Sequence, residues 1–245
     1  MATAAQIIDA LATALGKTSS SIEAYALFLR RTGRWLPTKR GRGAKPVTDG
    51  EAARLFLAAM SDGDQLADWW LHCANLCLLP DLRSDPVTNA VAAALGLGPE
   101  ALFLDYLEAI FSAFRDRRAE KIFAPDTNPI GALAREVWLP GVDISVSGPV
   151  VRAEVAFWLL PEFVEKHDLF GLDHGAITPH RLLFVDQVIG WRADAAERGE
   201  DPSFYDGCIA ARIEERSKGV RYRRTLGSNE IEAIARVMRS PEDHQ

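Results

Sequence analysis

The chain has 245 residues, of which 48% are hydrophobic and 25% charged. This composition is ordinary for one large globular domain or two small ones, and it excludes a disordered chain, a collagen-like repeat and a bare coiled coil. No apolar run reaches the roughly 18–20 residues that span a bilayer, and the N-terminus lacks the pattern of a signal peptide. We expect a cytoplasmic protein without membrane contact, and its cysteines (Cys73, Cys77 and Cys208) fit a reducing compartment in which they stay unpaired.

The net charge of −6 is unevenly distributed along the chain. The segment 1–60 carries nine Lys and Arg side chains against four acids, a net charge of +5, so the remainder of the chain carries −11. Such an asymmetry is expected where one part of a chain contacts a polyanion. A solvated basic loop without a partner is the alternative.

The N-terminal segment, 1–60, is predicted to form two helices, a basic loop and a third helix. Ser20 with Glu23, and Thr48 with Glu51, have the spacing of capping boxes that open the second and third helices. Gly16 and Gly33 are natural ends of the first two helices. The predicted ranges are helices at 5–15, 20–31 and 48–60, with a glycine- and proline-rich loop at 33–47.

The pattern changes from helical periodicity to alternation after about residue 119. The fold class predicted is α+β, mostly helical, with a helical middle and a small antiparallel sheet plus helices in the C-terminal part. The predicted segments are 1–60, 61–120 and 121–245. Beyond residue 60, the sequence predicts helices at 64–79, 86–95 and from Pro99, strands at 134–139, 142–147 and 150–160, helices from Thr178-Pro179 to 198 and at 202–218, a strand at 220–226, and a last helix that Ser228 caps.

Residues 5–31 join two helices through the turn Lys-Thr-Ser-Ser-Ser, and a basic loop and a helix follow. This arrangement resembles the winged helix-turn-helix transcriptional regulators of bacteria, and the resemblance is confined to the segment 1–60. The resemblance implies that the second helix enters the major groove of double-stranded DNA. Leu27 and Phe28 are expected to be buried against a neighbouring part of the chain. The residues that the resemblance brings to phosphates or base edges are Lys17, Thr18, Ser19, Ser20 and Ser21.

The stretch from Arg30 to Lys45, hereafter the basic segment, holds seven cations and no acid. Within it, Arg-Gly-Arg-Gly at 40–43 resembles the AT-hook core Arg-Gly-Arg-Pro, with glycine in place of the proline. The resemblance implies an arginine in a narrow A·T minor groove. A wing tip on phosphates, a flexible solvated loop and an RNA target are the alternatives. The candidate DNA-binding cations are Arg30, Arg31, Arg34, Lys39, Arg40, Arg42 and Lys45.

Two further clusters contain residue types that bind metals. Cys73 and Cys77 would share one helix face, but no fourth ligand stands at a usual spacing, so we expect buried free thiols. The second cluster lies in a predicted loop and matches no zinc spacing; its members are Glu165, His167, Asp168, Asp173, His174 and His180. The sequence also lacks a phosphate-binding loop, a nucleophile elbow and a zinc-protease motif. We therefore expect no cofactor, no metal and no enzymatic activity.

The sequence thus favours a DNA-binding protein, a transcriptional regulator of bacterial, phage or mobile-element origin. Its acidic part is expected to form a homo-oligomer, bind a protein partner or sense a small ligand. One alternative is an interaction or adaptor protein of a phage or mobile element, whose basic loop docks on an acidic protein. Another is an enzyme that uses the loop between His167 and His180.

Overall fold

A computed structural model describes residues 2–35, 45–60, 73–125, 140–148, 152–169, 179–217 and 222–239. Within these ranges the chain forms ten α-helices and five β-strands, so the predicted α+β, mostly helical fold class is confirmed. The strand predicted at 134–139 lies outside the described residues. None of the described helices is long and apolar enough to cross a membrane.

The helices and strands are numbered in chain order. The helices are α1 (Ala4–Leu15), α2 (Ser19–Arg31), α3 (Asp49–Ala59), α4 (Pro80–Arg83), α5 (Pro86–Leu95), α6 (Phe103–Arg115), α7 (Pro161–Lys166), α8 (Gln187–Glu197), α9 (Ser203–Ser217) and α10 (Ser228–Met238). The strands are β1 (Cys77–Leu78), β2 (Val142–Gly148), β3 (Arg152–Phe157), β4 (His180–Val185) and β5 (Tyr222–Leu226).

The connection between α1 and α2 consists of Gly16, Lys17 and Thr18. Gly16 ends α1 with a φ of 60°, a left-handed conformation that costs glycine little. The amide of Lys17 donates to the Ala12 carbonyl at 2.9 Å and completes the C-terminal cap. Thr18 then caps α2, so the chain reverses between the two helices within a single tight turn.

The start of α2 differs from the sequence prediction. Thr18 Oγ1, rather than the Ser20 hydroxyl, accepts a hydrogen bond from the backbone amide of Ser21, at 3.3 Å. The predicted capping box of Ser20 and Glu23 is therefore wrong. The helix begins earlier because the hydroxyl before Ser19 already satisfies a free amide of the first turn.

The five strands form one antiparallel sheet in the order β1-β4-β3-β2-β5. Alternate residues of the three longest paired strands are buried on one face, among them Val155, Leu182 and Phe184. The Phe184 ring contacts the rings of Phe103 and Tyr106 on α6, with centroids 5.2 and 5.0 Å away. Burial raises the pKa of Tyr106 to about 12. β4 therefore packs on α6 through Phe184.

Helix α6 is also the main support of the N-terminal helices. It contacts α3 and α10, α10 contacts α1, and α2 contacts both α1 and α3. The rings of Phe56 on α3 and Phe111 on α6 meet edge to face, with centroids 5.4 Å apart. One hydrophobic core therefore includes residues of all three segments that the sequence suggested.

The helix predicted at 64–79 does not extend to its predicted end. Residues 73–74 are helical, but Cys77 and Leu78 form β1 and pair with Val185 and Phe184 of β4. Cys73 and Cys77 therefore do not share a helix face. The apolar periodicity favoured a helix there, and pairing with a distant strand decided otherwise.

The helix predicted from Thr178-Pro179 is also wrong in its first half. Residues from His180 to Val185 form β4 within the sheet, and α8 begins only at Gln187. Asp186 caps α8, since its carboxylate accepts from the Val188 amide at 3.0 Å. Thr178-Pro179 is a local signal for the start of a helix. The segment forms β4 instead, because as a strand it gains hydrogen-bonded neighbours on both sides.

Two helix starts lie elsewhere than the sequence predicts. Helix α6 begins at Phe103 rather than Pro99, because the Asp105 carboxylate accepts from the Leu102 amide at 2.8 Å. Ser228 does not cap α10, since Gly227 holds that position. The Ser228 hydroxyl instead accepts from the Val142 amide at 2.9 Å and donates to the Val142 carbonyl at 3.2 Å, which joins α10 to β2.

The end of α10 is fixed to the end of α6 by Arg239. Its guanidinium donates to the carbonyls of Phe114 and Arg115, at 2.8 and 3.1 Å. It also donates twice to the Glu232 carboxylate, at 2.7 and 2.8 Å. Both charged side chains are only 10% exposed. This is a buried ion pair whose arginine also satisfies the free carbonyls at a helix C-terminus.

We expect Arg239→Met to lower the free energy of unfolding by about 3 kcal/mol, because it leaves Glu232 buried without its partner. Arg236→Met, on the same helix, is the matched control. Arg236 is 62% exposed and lies 3.8 Å from Glu232, so its loss should change stability by less than about 0.5 kcal/mol. Urea unfolding of the full chain measures both values, and equal effects of the two changes would contradict the assignment.

Candidate nucleic-acid interface

The hydroxyl groups at the start of α2 are exposed and bond to one another. Thr18 Oγ1 lies 3.0 Å from Ser20 Oγ and 2.8 Å from Ser21 Oγ. Ser19 Oγ donates to a carboxylate oxygen of Asp9 at 2.8 Å. That carboxylate stands beside the positive end of the helix dipole, where a phosphate would otherwise be attracted. The first turn of α2 is therefore partly neutralised by the chain itself.

Lys17 is bound within the protein. Its Nζ donates to the carbonyl of Ala59 at 2.7 Å and to the Tyr25 hydroxyl at 3.1 Å, and it lies 4.8 Å from the centre of the Tyr25 ring. Because Ala59 is the last residue of α3, the ammonium group stands at the negative end of that helix dipole. Lys17 thus joins the turn between α1 and α2 to the end of α3.

The outer face of α2 carries little positive charge. Glu23, Ala24, Leu27 and Arg31 follow one another at helical spacing on this face, and all four are exposed. Leu27 is 45% exposed, which contradicts its predicted burial, and Phe28 is half-buried. With one cation and one acid, this face offers little for reading bases.

The C-terminal end of α2 gathers three arginines. Gly33, with a φ of 71°, reverses the chain, and the Arg34 amide donates to the Leu29 carbonyl at 2.8 Å. Arg30 and Arg34 are half-buried, whereas Arg31 is exposed. The three positive charges stand at the negative end of the helix dipole, which stabilises them.

Trp35 anchors this end of the basic segment. Its side chain is 1% exposed, and the guanidinium of Arg30 lies 5.7 Å from the centre of its ring. Arg30 Nε is buried without a hydrogen-bond acceptor among the described residues. Trp35 is not among the candidate residues that the sequence predicted. The sequence does contain an indication of this role, since Trp35 is a single tryptophan inside a run of cations. Such a pattern is typical of an aromatic ring on which an arginine packs.

The other end of the basic segment is anchored as well. Val47 is buried, and its amide donates to the carbonyl of Ala2 at 3.0 Å. Lys45 is exposed and precedes this anchor closely in the chain. The candidate residues Lys39, Arg40 and Arg42 lie outside the described residues. In the sequence, four of the seven cations therefore lie between two residues buried in the core, Trp35 and Val47, and the other three precede Trp35.

Eight of the candidate residues that the structure describes fall into two groups at opposite ends of α2. The helix has 13 residues, which corresponds to a length of about 20 Å. The Ser and Thr residues stand at its start and the three arginines at its end. The positive potential that attracts a polyanion is therefore concentrated at the end of α2 and not at its first turn.

In the described residues, the side chains of the predicted cluster of acids and histidines do not come together at one site. Glu165 lies in α7, and the His167 ring stacks on Phe163 with centroids 4.4 Å apart. His180 begins β4, and its Nε2 lies 3.2 Å from a carboxylate oxygen of Asp85. Asp168 follows α7 with a φ of 52°, while Asp173 and His174 lie outside the described residues. In the part of the chain that the structure describes, no group of three or more His, Cys, Asp or Glu could hold a metal ion.

An open groove of about 450 Å³ lies between the start of α3, the α5–α6 connection and α6. Three carboxylates line it, from Asp49, Asp105 and Glu108. Burial raises the pKa of Asp49, and Arg115, 2.5 Å from its carboxylate, opposes this shift. The guanidinium of Arg118 also lines the groove, so three carboxylates stand against one cation, and this excess disfavours phosphate binding there.

A scan against protein-family models, a search of curated proteins and a search of solved structures returned no match.

We expect Lys17→Met to lower the free energy of unfolding by about 1–3 kcal/mol, because the Ala59 carbonyl loses a charged donor in a half-buried site. Lys45→Met removes the same charge from an exposed position and should change stability by less than about 0.5 kcal/mol. Urea unfolding compares the two variants. If Lys17→Met is as stable as Lys45→Met, Lys17 is free to serve the interface.

Proposed function

We propose that this protein binds double-stranded DNA through its basic segment and acts as a transcriptional regulator of bacterial or phage origin. The observation that carries the proposal is the concentration of cations at the end of α2. Trp35, within this segment, and Val47, two residues beyond it, are both buried in the core. The segment contains no acid anywhere along its length.

The pairing of charges supports a polyanionic partner. Most exposed arginines elsewhere in the described residues form ion pairs, as in Arg117 with Glu120, Arg181 with Glu154 and Arg198 with Glu200, and Arg152 is the exception. No ion pair within the described residues involves Arg31 or Lys45, and both side chains are exposed. Unpaired, clustered cations release counterions when phosphates neutralise them, and this release drives binding to DNA.

The short turn between α1 and α2 also supports the proposal. A short turn containing glycine joins the two helices of a DNA-binding helix-turn-helix. Here Gly16 supplies the left-handed residue of that turn. The outer face of α2 carries Glu23 and Leu27, so we expect binding to depend on phosphate contacts more than on base readout by this helix.

We expect the logarithm of the binding constant of the full chain for a random-sequence duplex to fall with the logarithm of salt concentration, with a slope of about −4. This value corresponds to ~4–5 phosphate contacts, each releasing about 0.9 counterion. Fluorescence anisotropy over a salt series measures the slope. A slope near zero would exclude DNA binding and favour docking of the basic segment on an acidic protein.

Arg31→Gln combined with Lys45→Gln locates this contact. The pair should make the slope less steep by about two, because two phosphate contacts are lost. Arg117→Gln combined with Lys121→Gln is the matched control, since both cations are exposed outside the basic segment. Equal effects of the two pairs would mean that binding follows net charge rather than this segment.

A second experiment tests the resemblance to an AT-hook. Arg40→Ala combined with Arg42→Ala should weaken binding more on A·T-rich than on G·C-rich duplexes, by about 1–3 kcal/mol, if an arginine occupies the minor groove. Anisotropy titrations of both duplexes at one salt concentration provide the comparison. An equal loss on both would reduce these arginines to phosphate contacts.

A further inference from the structure

Two hydrogen-bond donors at the end of α2 are buried without an acceptor. They are Arg30 Nε and the indole nitrogen of Trp35, Nε1, and neither has a partner in the described part of the chain. The Trp35 side chain is 1% exposed, and the Arg30 guanidinium lies 5.7 Å from the centre of its ring. A buried donor without an acceptor costs free energy, and the cost is larger for a charged group. The two donors therefore indicate an acceptor that the chain itself does not supply.

The turn after α2 brings these two side chains together. Gly33 reverses the chain with a φ of 71°, a conformation that costs glycine little. The amides of Arg34 and Trp35 then both donate to the Leu29 carbonyl, at 2.8 and 3.2 Å. Trp35 therefore folds back on the last turn of α2, where Arg30 stands. These backbone hydrogen bonds lie within residues 29–35 and hold the two side chains in contact.

Another deeply buried arginine of this chain shows what a structural role requires. Arg239 is 10% exposed, and it donates to the Glu232 carboxylate and to two backbone carbonyls. Its donors are therefore matched by acceptors from the fold. Arg30 stands instead in a segment that contains no acid, and its Nε has no acceptor among the described residues. This contrast favours an acceptor from a bound partner.

We propose that Arg30 Nε and Trp35 Nε1 donate to one phosphate of the DNA backbone. The inference rests on the proposed binding of DNA and gives it a specific phosphate contact. A hydrogen bond from a guanidinium to a phosphate is charge-assisted, and the several oxygens of a phosphate can accept from both donors. An arginine that stacks on an aromatic ring is already oriented, so it loses less side-chain entropy when it binds. Trp35 thus orients Arg30 and also donates to the same phosphate.

The surrounding charges favour a nucleic acid over an acidic protein. Arg31 and Arg34 lie within four residues of Arg30, and no acid lies among them. DNA carries phosphates at short, regular intervals along each strand, so a phosphate bound at Arg30 brings its neighbours close to the other two arginines. Both donors are covered in the free chain. A phosphate therefore reaches them only after the chain around them moves, and we expect the exposed cations to make the first encounter.

Fluorescence anisotropy of the full chain with a random-sequence duplex tests the contribution of Arg30. Arg30→Lys keeps the charge and removes the Nε donor. We expect it to weaken binding at least about tenfold, as for the loss of a charged hydrogen bond, and to leave the salt slope within about one of its original value. Arg31→Lys is the matched control, because Arg31 is exposed and adjacent in the chain. It should bind within about twofold of the unmodified chain.

The contribution of Trp35 is tested with a second pair of variants. Trp35→Phe keeps an aromatic ring beside Arg30 and removes Nε1, so we expect binding to weaken about threefold to tenfold, as for a neutral donor. Trp158→Phe is the control, since Trp158 Nε1 is also buried without an acceptor in the described residues but lies outside the basic segment. It should stay within about twofold. Circular dichroism checks that each variant is folded.

The combined variant, Arg30→Lys with Trp35→Phe, tests whether the two donors share one phosphate. Its loss of affinity should be smaller than the product of the two single losses, because each donor depends on the same bound group. Urea unfolding in inorganic phosphate and in chloride, at equal ionic strength, distinguishes a DNA phosphate from a free anion. We expect the same difference in midpoint for the unmodified chain and Arg30→Lys. A phosphate-dependent rise that Arg30→Lys abolishes would assign the site to free phosphate and overturn the contact with DNA.

The outcomes separate this inference from the proposed function. If the unmodified chain binds DNA with the expected salt slope, but Arg30→Lys equals Arg31→Lys or Trp35→Phe equals Trp158→Phe, only the phosphate contact is overturned. A buried water would then satisfy the two donors. Losses that multiply fully in the combined variant would overturn the sharing of one phosphate. A slope near zero in the unmodified chain would overturn the binding of DNA itself, and a carboxylate of an acidic protein would then be the acceptor.

Discussion

The guanidinium of Arg239 is the contact on which the arrangement of the helices depends. It joins Glu232 of α10 to the free carbonyls at the end of α6. Burying such a pair costs desolvation energy, and the geometry has to satisfy its donors for the pair to be stable. Since α1 packs on α10, the first helix of the chain is held by the last one. Leu29 and Trp35, near the start of the basic segment, and Val47, just after it, are buried in this same core.

This constraint explains how the protein tolerates a run of seven cations. Like charges repel one another and destabilise a compact state. Here the repulsion is opposed locally, because the dipole of α2 attracts the first three arginines. It is also opposed by the burial of Trp35 within the segment and of Val47 two residues after it. Lys17 shows the contrasting case, in which a cation of the same region is used within the fold.

The sequence predicted helix starts well where the capping side chain and the amide that it bonds are close together in the chain. Thr48 with Glu51 opens α3, as the sequence indicated, and Asp85 caps α5, where a helix at 86–95 was predicted, because these hydrogen bonds join near neighbours in the chain. β1 and β4 were missed because each is defined by pairing with strands elsewhere in the chain, and Cys77 bonds to a residue 108 positions away. The role of Lys17 was hidden for the same reason, since its acceptor lies 42 positions further on. Residue type and spacing carry no information about such partners.

The charges of the chain fit the proposed binding of DNA in one orientation. The segment 1–60 carries a net charge of +5, whereas residues 187–211, which include α8 and the first part of α9, carry −3. A duplex would therefore be attracted to the basic segment and repelled by α8 and α9. Because the outer face of α2 carries one cation and one acid, such binding would depend on phosphate contacts more than on bases read by this helix.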